Sequence, residues 1–395
     1  MQLLKDKKIL LGITGSIAAY KALELVRFFI KNGANVKILM SENAKRFITP
    51  LSFEALSSNI VISDDTESWS NENNHIKVSK WADIFVIAPI TANTINKLAN
   101  GIADNLLTST ALAFTKKIVI ATAANTAMFL HKTTQSSLEK LKSFNYTIIN
   151  SQEKLLACGD VGNGALAKTQ TIFIECVKAL QTKSCWNGKN VIVTGGGTIE
   201  KIDNVRYVSN FSSGKMADAL AKALFINGAN VTFIKTYKND ESLPIKYLYV
   251  ESAEEMSRAI SECKNKNDYL FMAAAVGDFR VKNRVNGKIK KDSLGDTFSI
   301  EFEKNSDIIA NLEKKEIKTI GFKAELDREN GLANAQNMLI NKKVDVVCLN
   351  IIDESNPFGS ENNKITLITK TSTKELSMKS KLEISFEILD NLKEL

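Results

Sequence analysis

No CxxC pair occurs anywhere in the chain of 395 residues, and its five cysteines, at 158, 176, 185, 263 and 348, are odd in number and scattered. That argues against a zinc site or a disulfide framework and for a reduced compartment, with most of the cysteines filling core. Prolines number only four and no segment is of low complexity, so neither half reads as a disordered tail. No apolar stretch reaches membrane-spanning length, and the opening MQLLKDKKILLGITGS carries too short an apolar run for a secretory signal. A cytoplasmic protein with no membrane partner is expected. Basic-aromatic interleaving and finger spacing are both missing, which argues against nucleic acid as a partner. The formal charge of +8 comes from scattered lysines, read either as a solvated surface or as attraction for phosphorylated, anionic substrates.

What is present is a repeat. The phrase NGANV stands at 32–36 and again at 227–231. Each copy follows an apolar stretch with helical spacing (Ala22, Leu23, Leu25, Val26, Phe28 and Phe29; Ala217, Leu220, Ala221, Leu224 and Phe225) and precedes a β-branched run. This is helix, glycine C-cap, strand. Upstream, each helix is preceded by an apolar strand ending in glycines, KKILLGITGS at 7–16 and KNVIVTGGGT at 189–198. Strand, glycine loop and helix open a doubly wound α/β domain, whose helix N-terminus favours a phosphate. The fold class expected is therefore α/β, with two tandem doubly wound, Rossmann-like domains. The polar, turn-like SCWNGKN at 184–190 puts the junction near Asn187, giving domains 1–186 and 187–395.

In the first half, strands are expected at 8–13, 35–40, 84–88, 117–122 and 146–149, alternating with helices as in a parallel sheet covered on both faces. The loop GITGSIAAYK lacks the third glycine of the dinucleotide fingerprint and suits a mononucleotide at least as well as NAD. One of only two histidines, His75, follows the acidic loop DDTESWSNENN and has the chemistry of a general acid or base. APITANTINKLANGIADNLL at 88–107 crowds short polar side chains round a helix start, more than a cap needs, and ACGDVGNGALA at 157–167 sets Cys158 in a glycine-rich loop.

Together, ITGSIAAYK, NHIKVSKWAD, APITANTINKLANGIADNLL, AANTAM and ACGD resemble, in order over the first 160 or so residues, the flavin-dependent phosphopantothenoylcysteine decarboxylases, of the homo-oligomeric flavin-containing cysteine decarboxylase group. The resemblance implies FMN over Gly15 and Ser16, with Ser41 near its phosphate (or serving as a helix N-cap) and Thr91, Ala92, Asn93 and Thr94 at the ring. It implies that the cysteine side chain is oxidised to a thioaldehyde, loses CO2, and is reduced again. In that scheme His75 resembles the catalytic base, Asn125 the holder of the substrate carboxylate and Cys158 the acid of the final reduction. The family's Pro-x-Met-Asn is here Thr122-Ala123-Ala124-Asn125.

The second half carries GGGTIEKIDNVRYVSNFSSGKMADALAKAL at 195–224, which is not a Walker A loop because Met216 follows Lys215, then AAAVGDFR, KIKK, KNSDI, GFKAE and NKKVDVVCLN. This order resembles phosphopantothenate–cysteine ligase over essentially all of 187–395. The resemblance implies CTP with Mg2+, 4′-phosphopantothenate and L-cysteine as substrates, and an acyl-cytidylate whose CMP the cysteine amine displaces. Asn210 resembles the residue stabilising that intermediate and Lys288 the mobile-loop lysine of the second half-reaction. Asp278 is similar to a residue at the cytidine and metal site, and Ala274 and Ala275 to small residues admitting the nucleotide. Lys290, Asn305, Asp307, Ile308, Phe322 and Lys342 complete the implied substrate and nucleotide set; Lys288 and Lys290 could equally be a solvated charge run. Ser306 and Ile199 depart from the family's Pro and Arg. The ligase product is the decarboxylase substrate, so the two halves imply one bifunctional enzyme of coenzyme A biosynthesis. The resemblance further implies a dodecamer of flavin-domain trimers with paired ligase domains, and flavin sites between neighbouring chains. The alternatives are a non-catalytic, flavin-binding regulatory protein and an NAD(P)-dependent oxidoreductase.

Overall fold

The structure is a computed structural model describing residues 2–155, 159, 161–181, 184–239, 241–290, 297–314 and 316–393. The chain forms two compact units, Met1–Thr182 and Lys183–Leu395. The expected junction near Asn187 lies inside the second unit. There Trp186 is 2% exposed, its indole N–H donates to Leu389 O at 3.2 Å, and its ring rests 4.7 Å from that of Tyr269.

In the first unit the strands are β1 (Lys8–Ile13), β2 (Asn35–Met40), β3 (Ile84–Ile90), β4 (Lys117–Thr122), β5 (Thr147–Ile149), β6 (Gln152–Leu155) and β7 (Val161–Ala165). The helices are α1 (Ala22–Lys31), α2 (Glu42–Lys45), α3 (Pro50–Ser57), α4 (His75–Trp81), α5 (Ala92–Ala99), α6 (Leu106–Ala113), α7 (Thr126–Leu130), α8 (Lys132–Ser143) and α9 (Thr169–Leu180). The sheet is parallel with order β2-β1-β3-β4-β5, and β6 and β7 form a separate antiparallel hairpin. Every residue of β3 is buried. A parallel strand covered by helices on both faces needs a continuous apolar run, which IFVIAPI supplies. Helix α1 buries Ala22, Leu25, Val26 and Phe29, an i, i+3, i+4, i+7 stripe.

In the second unit the strands are β8 (Asn190–Gly195), β9 (Ile199–Lys201), β10 (Tyr207–Ser209), β11 (Asn230–Lys235), β12 (Lys246–Tyr249), β13 (Tyr269–Met272), β14 (Phe279–Val281), β15 (Phe302–Lys304), β16 (Lys318–Glu325), β17 (Val346–Ile351), β18 (Asn362–Ile368) and β19 (Thr373–Ser380). The helices are α10 (Lys215–Ile226), α11 (Ala253–Cys263), α12 (Ile308–Asn311), α13 (Gly331–Asn341) and α14 (Lys381–Asn391). The main sheet runs β12-β11-β8-β13-β16-β17-β18-β19, parallel up to β17 and antiparallel for the last two strands. Both units are doubly wound but in different orders. The first has the 2-1-3-4-5 order, and the second begins with the 3-2-1-4-5-6 order of dinucleotide-binding sheets. The two NGANV turns nonetheless match, with Gly33 at φ +87 and Gly228 at φ +90. Among the described residues, no helix is long and apolar enough to cross a membrane.

Candidate active sites in the two units

In the first unit the strand order reverses between β1 and β3, where a doubly wound sheet opens a crevice at its carboxyl edge. The loops leaving these strands are tied together. Thr14 Oγ1 donates to Pro89 O (2.9 Å) and accepts the Thr91 N–H (2.9 Å). Ser16 accepts the Ala18 N–H at the turn entering α1, and Thr91 caps α5 by accepting the Thr94 N–H. Above them opens a cleft of about 1200 Å³ lined by Gly15, Ser16, Ser41, Thr91, Ala92, Asn93, Thr94 and Asn125, with the cations Lys21 and Arg46 at its wall. A Cβ on Gly15 would stand 2.6 Å from Asn43 Cβ, so the loop after β1 lies flush on α2 and keeps the cleft open. Ser41 is the N-cap of α2, but its hydroxyl makes no capping bond and remains available to a ligand. Sequence reasoning missed Lys21 and Arg46; Lys21 ends the quoted AAYK segment, and Arg46 lies five residues beyond Ser41.

Asn125 caps α7, its Oδ1 accepting the Ala127 N–H at 2.9 Å. The loop before it is held by β7, where Gly164 O accepts the Ala124 N–H at 3.0 Å. Cys158 lies outside the described residues. His75 opens α4 and does not line the cleft of its own chain. Its Nδ1 lies 2.7 Å from Glu67 Oε1, and its ring meets Trp69 edge-on at 5.6 Å. A carboxylate on Nδ1 leaves Nε2 as the nitrogen that takes a proton. Glu67 is a partner sequence reasoning did not name.

In the second unit the glycine loop after β8 crosses the loop after β13: Ala275 N–H donates to Gly196 O (2.8 Å) and Gly277 N–H to Thr198 Oγ1 (2.8 Å). Asn210 Nδ2 donates to Val276 O at 3.0 Å, and Asn305 holds the same loop through Asp278 O and Gly277 O, both at 2.8 Å. Asn210, Asp278 and Asn305 are thus brought together round residues 276–278. Ala274, Ala275 and Phe322 line a narrower cleft of about 190 Å³ whose opposite wall is Gly214 and Lys215 at the start of α10. Lys288 and Lys290 line a separate depression of about 580 Å³ beside Ile202 and Val281. Asp307 caps α12 and pairs with Lys342 at 2.8 Å. Burial acts to raise the Asp307 pKa, but Lys342 and backbone N–H donors outweigh it and hold the carboxyl below its ordinary value. Ile308 is 6% exposed and belongs to the core, so it can offer a ligand only its backbone.

Sequence reasoning also missed Asp203. Its carboxylate, 0% exposed, accepts the N–H groups of Val205, Arg206 (both 2.7 Å) and Ile289 (3.1 Å) and binds the Arg206 guanidinium at 2.7 Å. Burial alone would raise its pKa; the three N–H donors and Arg206 instead draw it down to about 2. The base of the Lys288 loop is fastened there.

Residues 2–181 match the family described as Flavoprotein, and residues 186–395 match the DNA/pantothenate metabolism flavoprotein C-terminal domain. The chain is 37% identical to the coenzyme A biosynthesis bifunctional protein CoaBC of Borreliella burgdorferi over 98% of both chains. It is 38% identical to that of Bacillus subtilis over 99% of this chain and 97% of the relative, and 35% identical to that of Escherichia coli over 98% and 97%. The chain belongs to the CoaBC family.

The flavoprotein match of this CoaBC-family chain covers the unit with the large cleft, and the residues there fit a flavin. Hydroxyl donors at Ser16, Ser41, Thr91 and Thr94, the cations Lys21 and Arg46, and the flush Gly15 loop make a cradle for a phosphate and an extended ring. For a metal the donor set is thin. Among the described residues no group of three or more His, Cys, Asp or Glu could hold an ion, so Asp278 fits only as a single carboxylate for an ion carried in on nucleotide phosphates.

Proposed function

We propose that the chain catalyses two successive steps of coenzyme A biosynthesis. The Lys183–Leu395 unit joins 4′-phosphopantothenate to L-cysteine at the expense of CTP, with Mg2+. The Met1–Thr182 unit then decarboxylates the 4′-phosphopantothenoyl-L-cysteine to 4′-phosphopantetheine. The observation that carries this reading is the convergence of Gly15, Ser16, Ser41, Thr91–Thr94 and Asn125 on one cleft at the β1/β3 reversal, which is where FMN sits in sheets of this order.

FMN supplies the two-electron oxidation and its return. The chain's own groups do the rest. Asn125, set at the cleft wall by its cap of α7, is the group that holds the substrate carboxylate. His75, oriented by Glu67, accepts a proton at Nε2. Cys158 returns a proton in the final reduction. In the second unit, one Asn210 N–H is held by Val276 O and its second is a donor for the oxygen on which charge develops, with Lys288 as the cation of the second half-reaction. Ala274, Ala275 and Phe322 receive CTP against the start of α10. Because His75 stands outside its own cleft, and that cleft's rim exposes Ile17, Tyr20, Phe47, Met128 and Leu155 by 50% or more, a second copy completes each flavin site. The enzyme thus works as a homo-oligomer, in the cytoplasm.

The test is an absorption spectrum of the purified protein, followed by addition of 4′-phosphopantothenate, cysteine, CTP and Mg2+ with CMP and CO2 measured together. Yellow protein giving both products is expected. His75→Asn should stop CO2 release and leave CMP formation. Asn210→Asp should stop CMP formation while the supplied ligation product is still decarboxylated. Either substitution stopping both reactions in folded protein would overturn the assignment of separate sites.

A further inference from the structure

The last residue of β11, Lys235, is 1% exposed. Its ammonium lies 4.7 to 5.7 Å from the ring centroids of Phe233, Tyr237, Tyr247 and Tyr249 and donates to Asn239 Oδ1 at 2.5 Å. Asn239 Nδ2 in turn donates to Asp218 Oδ2 at 3.0 Å, in the first turn of α10. A cation held by rings, an amide and a carboxylate is a costly arrangement unless it fixes something.

What it fixes is the Tyr237 ring, which lies against two glycine turns. Gly196 has φ +89, and a Cβ there would stand 2.7 Å from Tyr237 Cδ1; Gly214 has φ +69, and a Cβ there would stand 2.3 Å from Tyr237 Cζ. The Tyr237 hydroxyl donates to Gly214 O at 3.1 Å. Gly196 O receives the Ala275 N–H, and Gly214 N-caps α10 with no side-chain capping bond. The ring therefore backs Gly214, which lines the narrower cleft, and the Gly196 turn whose carbonyl holds the lining residue Ala275.

Resting on the reading of that cleft as the CTP site, we propose that Tyr237, clamped by Lys235, is a positioning residue that sets the Gly196 and Gly214 turns for the nucleotide. It touches no reacting atom and acts through the backbone of those turns. The full chain is assayed for CTP-dependent pyrophosphate release with CTP varied. Losing the hydroxyl in Tyr237→Phe should raise the CTP KM about 3- to 10-fold, the worth of one hydrogen bond. Losing the ring in Tyr237→Leu should raise it further, with kcat and the cysteine KM held. A merely structural role would shrink the active fraction, lowering kcat at unchanged KM. Ser213→Trp, on the exposed rim of the same cleft, is the control for the site itself. If Ser213→Trp raises the CTP KM and neither Tyr237 variant does, the positioning role is wrong. If none of the three raises it, the cleft is not where CTP binds.

Discussion

Gly164 shows how much can hang on one missing side chain. A Cβ there would stand 2.0 Å from Ala124 O, so β7 can lie on the loop carrying Asn125 only with glycine at this position. Gly164→Ala must push hairpin and loop apart, at about 1–3 kcal/mol in stability. Misplacing Asn125 by about 1 Å should cost up to about 100-fold in CO2 release with CMP formation unchanged. Equal CO2 release by variant and parent would show that the hairpin does not position Asn125. The sequence carries the reason for Ser16 and Thr91 in plain view, because a cap's partner lies two or three residues away. Glu67 beside His75, Ala124 under Gly164 and Tyr237 against Gly214 are invisible to that reasoning, since each pairing is made by the fold between separated segments.

Among the elements, β1, β2 and β4 coincide with the strands expected from continuous apolar runs, β3 continues to Ile90, and β5 starts one residue late at Thr147. The β6–β7 hairpin was not foreseen. Its residues QEKL and VGNGA are exposed or small, so no apolar period announces them. The connection between β9 and β10 bears the carboxylate with the clearest pH signature. Asp203 has a folded-state pKa drawn down from 3.8 to about 2, so its stabilisation is complete above about pH 4 and is lost as pH falls through about 2. Urea titrations of the full chain at pH 5, 3.5 and 2 should show the parent more stable than Asp203→Asn at pH 5, with the gap closing by pH 2. A gap independent of pH would mean that the Asp203 charge does not hold the 287–290 turn.

For the whole molecule, each sheet draws all its strands from one unit, and each unit has its own core. Unfolding should then depart from a single two-state transition. Calorimetry should resolve two steps, FMN at 100 times its Kd stabilising only the Met1–Thr182 step, by about 2.7 kcal/mol, and CTP only the other. A single transition shifted by both ligands would refute independence. The tandem plan was legible from the two NGANV phrases, yet their likeness stops at the second strand of each sheet. One sheet goes on as 2-1-3-4-5 and the other as 3-2-1-4-5-6, since turn chemistry is written locally and strand order is not.

That divergence bears on ancestry. Had the chain arisen by doubling one gene segment, the copies would have begun with one strand order, and converting one into the other means moving a strand across the sheet, with no stable half-way form. Two genes of different origin joined end to end need no such passage. The shared pentapeptide is then the mark of a common turn, and it asks for no common origin of the two halves.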